Sequence, residues 1–123
     1  MDWNTFCYDV VQGECHLIHY AFIGTPAAVW GEFCMTSSFT GLKTAEIVTI
    51  INSNGASFPF RDQVYQLVEN NKGIFYYESS TSSLSYAATC NSFLIVWAHK
   101  RAYIECRRAM NRGIAFLEKN KEM

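Results

Sequence analysis

The chain begins with two large aromatic residues one helical turn apart, Trp3 and Phe6. The ends of small domains are ordinarily frayed and polar, so these rings must pack onto the domain or offer a surface to a ligand. Asp2 fits an N-cap, and Cys7 and Val10 continue the same helical stripe. The segment therefore predicts a terminal helix that lies on the domain with part of its aromatic face uncovered. Such a face suits a site that grips an extended apolar ligand.

The composition is that of a chain that can bury a core without disulfides. Its 123 residues are half hydrophobic and 15% aromatic, which predicts a single domain over residues 1–123. The formal net charge of −1 offers no basic surface for nucleic acid and no polybasic membrane anchor. No apolar run approaches the roughly 20 residues that a membrane helix needs. The first residues also lack the pattern of a signal peptide, so we expect a cytoplasmic protein.

The cysteines favour the same compartment. They are five in number, without a Cys-x-x-C pair, and scattered along the chain: Cys7, Cys15, Cys34, Cys90 and Cys106. An extracellular disulfide framework would favour an even number. Reduced thiols in a cytosolic protein are the simpler interpretation.

The hydrophobic periodicity predicts three helices and six strands. The helices are expected from the start of the chain to Gly13, over residues 44–53, and from about residue 102 to 119. The strands are expected over residues 16–23, 27–34, 64–69, 74–78, 84–90 and 93–98. Pro59 interrupts the segment before the third strand, where one irregular turn is expected. Short turns between strands indicate an antiparallel sheet covered by the helices, which is an α+β fold.

Several segments in this order resemble the profilin family. The opening Trp-Asn-Thr-Phe at 3–6 is similar to the family's N-terminal Trp-x-x-Tyr signature. Ala-Phe-Ile-Gly at 21–24, followed by Trp30, resembles its first hairpin, and Leu-Lys-Thr-Ala-Glu-Ile at 42–47 resembles the start of its next helix. Residues 93–96 and 106–117 resemble its last strand and terminal helix. The resemblance implies a central antiparallel sheet of about six strands, with both terminal helices on one face and the shorter helix on the other.

The sequence departs from the family pattern in three places. Phe6 stands where the family usually has Tyr, so a hydroxyl donor is missing. Phe-Arg-Asp-Gln at 60–63 replaces a Gly-Gly turn that many profilins carry before the third strand. The connection between Ala98 and Ala102 is short.

The resemblance implies a binding site for proline-rich segments at the terminal helices. If these helices lie side by side across the strand that carries Trp30, several residues would converge on one trough: Trp3, Phe6, Trp30, Arg112 and Phe116. A polyproline helix is already extended, its rings lie flat on aromatic faces, and indole N–H groups can donate to its carbonyls. The alternative is that these rings are ordinary core.

The resemblance also implies a surface for monomeric actin, which is a large acidic partner. The candidate residues are cationic, aromatic or polar, and lie on the terminal helix or on neighbouring strands: Gln66, Tyr77, Lys100, Arg101, Tyr103, Arg107 and Arg108. The same cations could contact phosphoinositide headgroups. The alternative is a solvated helix face with no function.

Local motifs for metal binding and catalysis are weak. Cys15 and His19 share a strand face but would lie about 13 Å apart, too far for one zinc ion, and His16 points to the other face. No motif pairs a thiol with His99, and there is no phosphate loop, dinucleotide turn or paired-carboxylate signature. We therefore expect no bound metal ion, no cofactor and no enzymatic activity.

Two other interpretations stay open at this point. A scaffold of the longin or roadblock type would bind a GTPase or dimerise, and would hide Trp3 in its core. A PAS-like module would hold a small ligand between sheet and helix. Solvent exposure of Trp3 and Trp30 distinguishes both from a profilin.

Overall fold

A computed structural model describes residues 2–12, 18–34, 41–89 and 91–119. Among these residues there are three helices, at Trp3–Val11 (α1), Thr44–Ser53 (α2) and Tyr103–Lys119 (α3), the last preceded by a 3-10 turn at Lys100–Ala102. The strands are Ile18–Thr25 (β1), Ala28–Cys34 (β2), Phe58–Phe60 (β3), Gln63–Asn71 (β4), Ile74–Glu78 (β5), Ser82–Ala88 (β6) and Phe93–His99 (β7). Gly13, Cys15, His16 and Cys90, which figure in the sequence predictions, lie outside the described residues.

The strands form one antiparallel sheet in the order β2-β1-β7-β6-β5-β4-β3. The predicted α+β fold with a central antiparallel sheet is confirmed, but the described residues contribute seven strands to it rather than six. The additional strand is β3, where an irregular turn was expected around Pro59. This strand lies at the edge of the sheet, and an edge strand tolerates a residue without an N–H group.

The two faces of the sheet carry separate apolar layers because side chains alternate along each strand. Ala21 and Ile23 of β1 lie in the layer beneath α1 and α3, together with Leu94 and Val96 of β7. On the other face, Tyr20, Phe22 and Ile95 pack with Ile47 and Ile50 of α2. The expected arrangement of terminal helices on one face and the shorter helix on the other is confirmed.

Asp2 holds the first turn of α1. Its Oδ1 accepts from the backbone N–H groups of Asn4 and Thr5, at 3.0 and 3.3 Å, and its Oδ2 accepts from the Thr5 hydroxyl at 2.9 Å. These bonds satisfy N–H groups that have no partner within the helix, and they lower the pKa of the Asp2 carboxyl. The helix therefore begins at Trp3, as its sequence predicts.

The β3–β4 hairpin turns at two residues without glycine. Arg61 and Asp62 both have positive φ, at 49° and 68°, as the two central residues of a tight hairpin turn require. The Arg61 guanidinium donates to both carboxylate oxygens of Glu46, at 2.8 and 2.9 Å, and to the Gly41 carbonyl at 3.1 Å. The fork-shaped contact fastens the turn to the start of α2.

No helix within the described parts of the chain is both long and apolar enough to cross a membrane.

Candidate functional site

Four aromatic rings form a row across α1, β2 and α3. The Trp30 ring centroid lies 5.4 Å from that of Trp3, Trp3 lies 5.5 Å from Phe6, and Phe6 lies 5.4 Å from Phe116. These spacings are typical of interacting aromatic pairs. The structure thus brings together all four of the rings that the sequence predicts in one trough.

The four rings differ in their solvent exposure. Trp30 is 36% exposed and Phe116 is 39% exposed, whereas Trp3 is half-buried against the core. Phe6 is only 5% exposed, so it supports its neighbours and offers little face of its own. The row is therefore an apolar surface that is open at both ends.

Close backbone contact fixes α1 against the edge strand β2. A Cβ on Gly31 would lie 2.4 Å from the Trp3 carbonyl carbon and 2.5 Å from its oxygen, so only glycine fits there. The Asn4 side-chain oxygen accepts from the Glu32 N–H at 3.0 Å, which satisfies a donor on the strand edge. Both contacts place the Trp3 ring beside Trp30.

The row continues into a groove of about 340 Å³ between α1 and α3. It is lined by side chains of both helices: Asp2, Thr5, Phe6, Asp9, Val10, Arg112 and Phe116. Most of this lining is apolar, with two carboxylates on the α1 side. Thr5 and Asp9 were not predicted from the sequence as groove residues, although their spacing of three and seven residues from Asp2 puts all three on one helix face.

Arg112 joins the two helices that form the groove. Its Nε and Nη2 donate to the Val10 carbonyl, at 3.1 and 2.5 Å. That carbonyl lies in the last turn of α1, where backbone acceptors lack helical partners. Arg112 lines the groove as expected and also holds α1 against α3.

The structure exposes most, but not all, of the residues that the sequence predicts for an actin surface. Lys100, Arg101 and Tyr103 are exposed around the start of α3, and Arg108 is exposed one turn further on. Lys100 also lines a polar hollow with Gln66 of β4. These residues lie on the outer surface of the molecule, where a large partner could reach them.

Arg107 and Tyr77 are placed differently. The Arg107 guanidinium forms an ion pair of 2.7 Å with Glu69 and lies 4.4 Å from the centroid of the Tyr76 ring. Tyr77 is 1% exposed and lies on the opposite face of the sheet, where its hydroxyl lies 2.8 Å from the Ser53 hydroxyl of α2. The assignment of Tyr77 to the surface is wrong, because neighbours in a strand point to opposite faces and Tyr76 occupies the face beneath α3.

The buried thiols of Cys7 and Cys106 lack the lowered pKa that a nucleophilic cysteine needs. Burial raises the pKa of Cys7 to about 12 and that of Cys106 to about 11, so both stay protonated at neutral pH. Within residues 2–12, 18–34, 41–89 and 91–119, no three His, Cys, Asp or Glu side chains come together as a metal site.

The fold is similar to that of solved profilin structures. Profilin IA of Acanthamoeba castellanii superimposes with a TM-score of 0.70 at 13% identity, covering 96% of this chain and 98% of that one. Profilin of Schizosaccharomyces pombe gives 0.69 at 16% identity, covering 95% and 97%. No family model matches the sequence, and a sequence search of curated proteins finds no significant match. The chain therefore has the profilin fold with a strongly divergent sequence.

Proposed function

We propose that this chain is a profilin-like adaptor that binds proline-rich segments at its aromatic row and binds monomeric actin at the start of α3. The observation that carries the proposal is the unbroken row of rings from Trp30 through Trp3 and Phe6 to Phe116. The similarity of the fold to solved profilins supports it. The proposed setting is the cytoplasm, with residues 1–123 acting as one domain and without catalysis.

The row has the size and the chemistry for a polyproline helix. Its length is at most roughly 16 Å, which five residues of such a helix span at about 3.1 Å per residue. Among the described residues, the indole N–H groups of Trp3 and Trp30 have no hydrogen-bond acceptor. They are available to donate to ligand carbonyls, which lack internal partners in a polyproline helix.

The proposed actin surface lies at the other end of α3 from the aromatic row. Tyr103 opens this helix and Phe116 lies near its end, which separates them by about 20 Å at 1.5 Å per residue. Exposed Lys100 and Arg101 favour an acidic partner. An adaptor with two separate sites can hold an actin monomer near a proline-rich assembly factor and so raise its local concentration. Contact of the same cations with phosphoinositides stays a prediction.

Calorimetric titration with a capped proline decamer tests the first half of the proposal, with a Gly-Ser decamer as control. We expect binding of the proline peptide alone. Absence of heat and of fluorescence change at millimolar peptide would contradict it. Assembly of pyrene-labelled actin from the same organism tests the second half, and unaltered assembly at tens of micromolar protein would leave a proline-binding adaptor only.

A further inference from the structure

The groove beside the aromatic row carries negative charge on one side only. Asp2 and Asp9 lie on the α1 side, and Arg112 lies on the α3 side above a floor formed by Phe6 and Phe116. The two carboxylates exceed the one guanidinium, which already donates two hydrogen bonds to the Val10 carbonyl. An apolar ligand in the row would therefore pass directly beside these two carboxylates.

The two carboxylates have different tasks. Asp2 accepts three hydrogen bonds from Asn4 and Thr5 as the cap of α1. Asp9 is exposed and has no hydrogen bond or ion pair within the described residues. Its carboxylate is therefore available to a ligand without any loss to the fold.

Resting on the proposed function, we propose that the groove selects proline-rich segments with an Arg or Lys beside the prolines, and that Asp9 is the residue that determines this preference. The prolines occupy the ring row, and the basic side chain extends along α1 into the groove. Its methylenes lie along the exposed edge of the Phe116 ring, while its charged end reaches Asp9. An acidic side chain at the same place meets the carboxylates and is disfavoured.

Three capped peptides test this inference: eight prolines flanked at both ends by Arg, by Gln or by Glu. Capping removes the terminal charges, so the flanking residues alone differ. We expect the Arg peptide to bind about two- to fivefold more tightly than the Gln peptide, as partly exposed charge pairs do, and the Glu peptide to bind least. The preference should shrink in high salt because the groove is open to solvent.

The Asp9→Asn variant should lose most of the preference for Arg, measured as the ratio of the affinities of that variant for the Arg and Gln peptides. Asp62→Asn is the matched control, since it makes the same charge change at the β3–β4 turn and should keep the preference. Equal binding of the Arg and Glu peptides, or an undiminished preference in Asp9→Asn, would overturn the inference while leaving proline binding intact. Failure of all three peptides to bind would overturn the proposed function itself.

Discussion

The Trp3 and Trp30 rings lie 5.4 Å apart, and this contact joins the first helix to an edge strand of the sheet. It depends on the absence of a side chain at Gly31, where the helix backbone approaches the strand most closely. The aromatic row is therefore a product of the tertiary fold, because its members come from three elements distant in sequence. A change that moves α1 should alter the site without touching a ring.

Truncating an exposed ring of the row should reduce the free energy of peptide binding more than it reduces the free energy of unfolding. Phe116 is 39% exposed, so Phe116→Ala is expected to cost on the order of 1 to 2 kcal/mol of binding to a proline decamer. Tyr8→Ala is the matched control, because Tyr8 is on α1 and 44% exposed but packs against Phe33 outside the row. Calorimetry should show an affinity change only for Phe116→Ala, and equal losses in both variants would argue against the row.

Gly31→Ala should displace the start of α1. The new methyl group would overlap the Trp3 backbone, which cannot rotate away as a flexible side chain could. We expect a loss of about 1 to 3 kcal/mol in unfolding free energy, as for other overpacked positions, with weaker peptide binding. Urea unfolding measures the loss of stability, near-ultraviolet circular dichroism reports the displaced Trp3 ring, and titration with the proline decamer measures the weaker binding.

The control for this variant is Gly73→Ala. Gly73 lies in the β4–β5 turn with φ of 84° and no atom near its missing Cβ, so alanine there costs roughly 1 kcal/mol in backbone strain alone. Stability should fall while peptide affinity stays at the wild-type value. If Gly31→Ala likewise leaves affinity unchanged, the site does not need the close approach of α1 to β2.

Asp62→Gly should stabilise the protein. Asp62 has φ of 68° in a turn whose second position favours glycine. Relief of this strain, less the entropy that glycine loses on folding, is expected to add roughly 0.5 kcal/mol to the unfolding free energy. Asp62→Ala removes the same charge but keeps a Cβ, so chemical denaturation should show no gain. A gain in both variants would attribute the effect to charge.

The Glu46–Arg61 ion pair should give the protein an acid-sensitive component of stability. Hydrogen bonding to Arg61 lowers the pKa of Glu46 below its ordinary value of 4.5. A carboxyl with a lowered folded pKa contributes stability above its unfolded pKa and loses it as pH falls through the folded value. Glu46→Gln should therefore be less stable than wild type by about 1 kcal/mol at neutral pH, with a difference that narrows below pH 4.5. A difference independent of pH would contradict this account.

Reversing one exposed charge before α3 should weaken an interaction with actin. Arg101→Glu is expected to slow association and to reduce sequestration of monomers, since charges at an interface act strongly on the association rate. Lys72→Glu makes the same charge change at the distant β4–β5 turn and is expected to behave as wild type. Pyrene-actin assembly assays distinguish the two variants. If both variants change actin assembly equally, the net charge of the protein causes the effect, and the surface at the start of α3 does not.

The sequence predicts the layers of this fold and the edge strand Ala28–Cys34, but it does not predict the other edge strand. The apolar run in a strand such as Ile18–Thr25 and the helical spacing in Tyr103–Lys119 are local signals that tertiary packing reinforces. Strand Phe58–Phe60 escaped prediction because it is short and contains Pro59, which only an edge position tolerates. Its existence depends on the neighbouring strand rather than on its own residues.

The candidate site likewise contains residues that the sequence predicts and residues that depend on the tertiary structure. The convergence of the four rings was predicted because the resemblance to profilins implied a common trough, and the aromatic pair Trp3 and Phe6 at the start of the chain pointed to the same surface. The positions of Tyr76 and Tyr77 could not, because strand register alone decides which of two adjacent tyrosines faces α3. Asp9 was missed for a similar reason, since the angle between α1 and α3 determines which helix face lines the groove.

The most direct test of proline binding at the aromatic row follows the three indole N–H signals by NMR during titration with a proline decamer. Trp97 is an internal reference, because its indole N–H donates to the Tyr65 hydroxyl oxygen at 2.7 Å, away from the row. Our account predicts that the Trp3 and Trp30 signals move together with peptide concentration while the Trp97 signal stays in place. Three unmoved signals at millimolar peptide, or equal movement of all three, would contradict it.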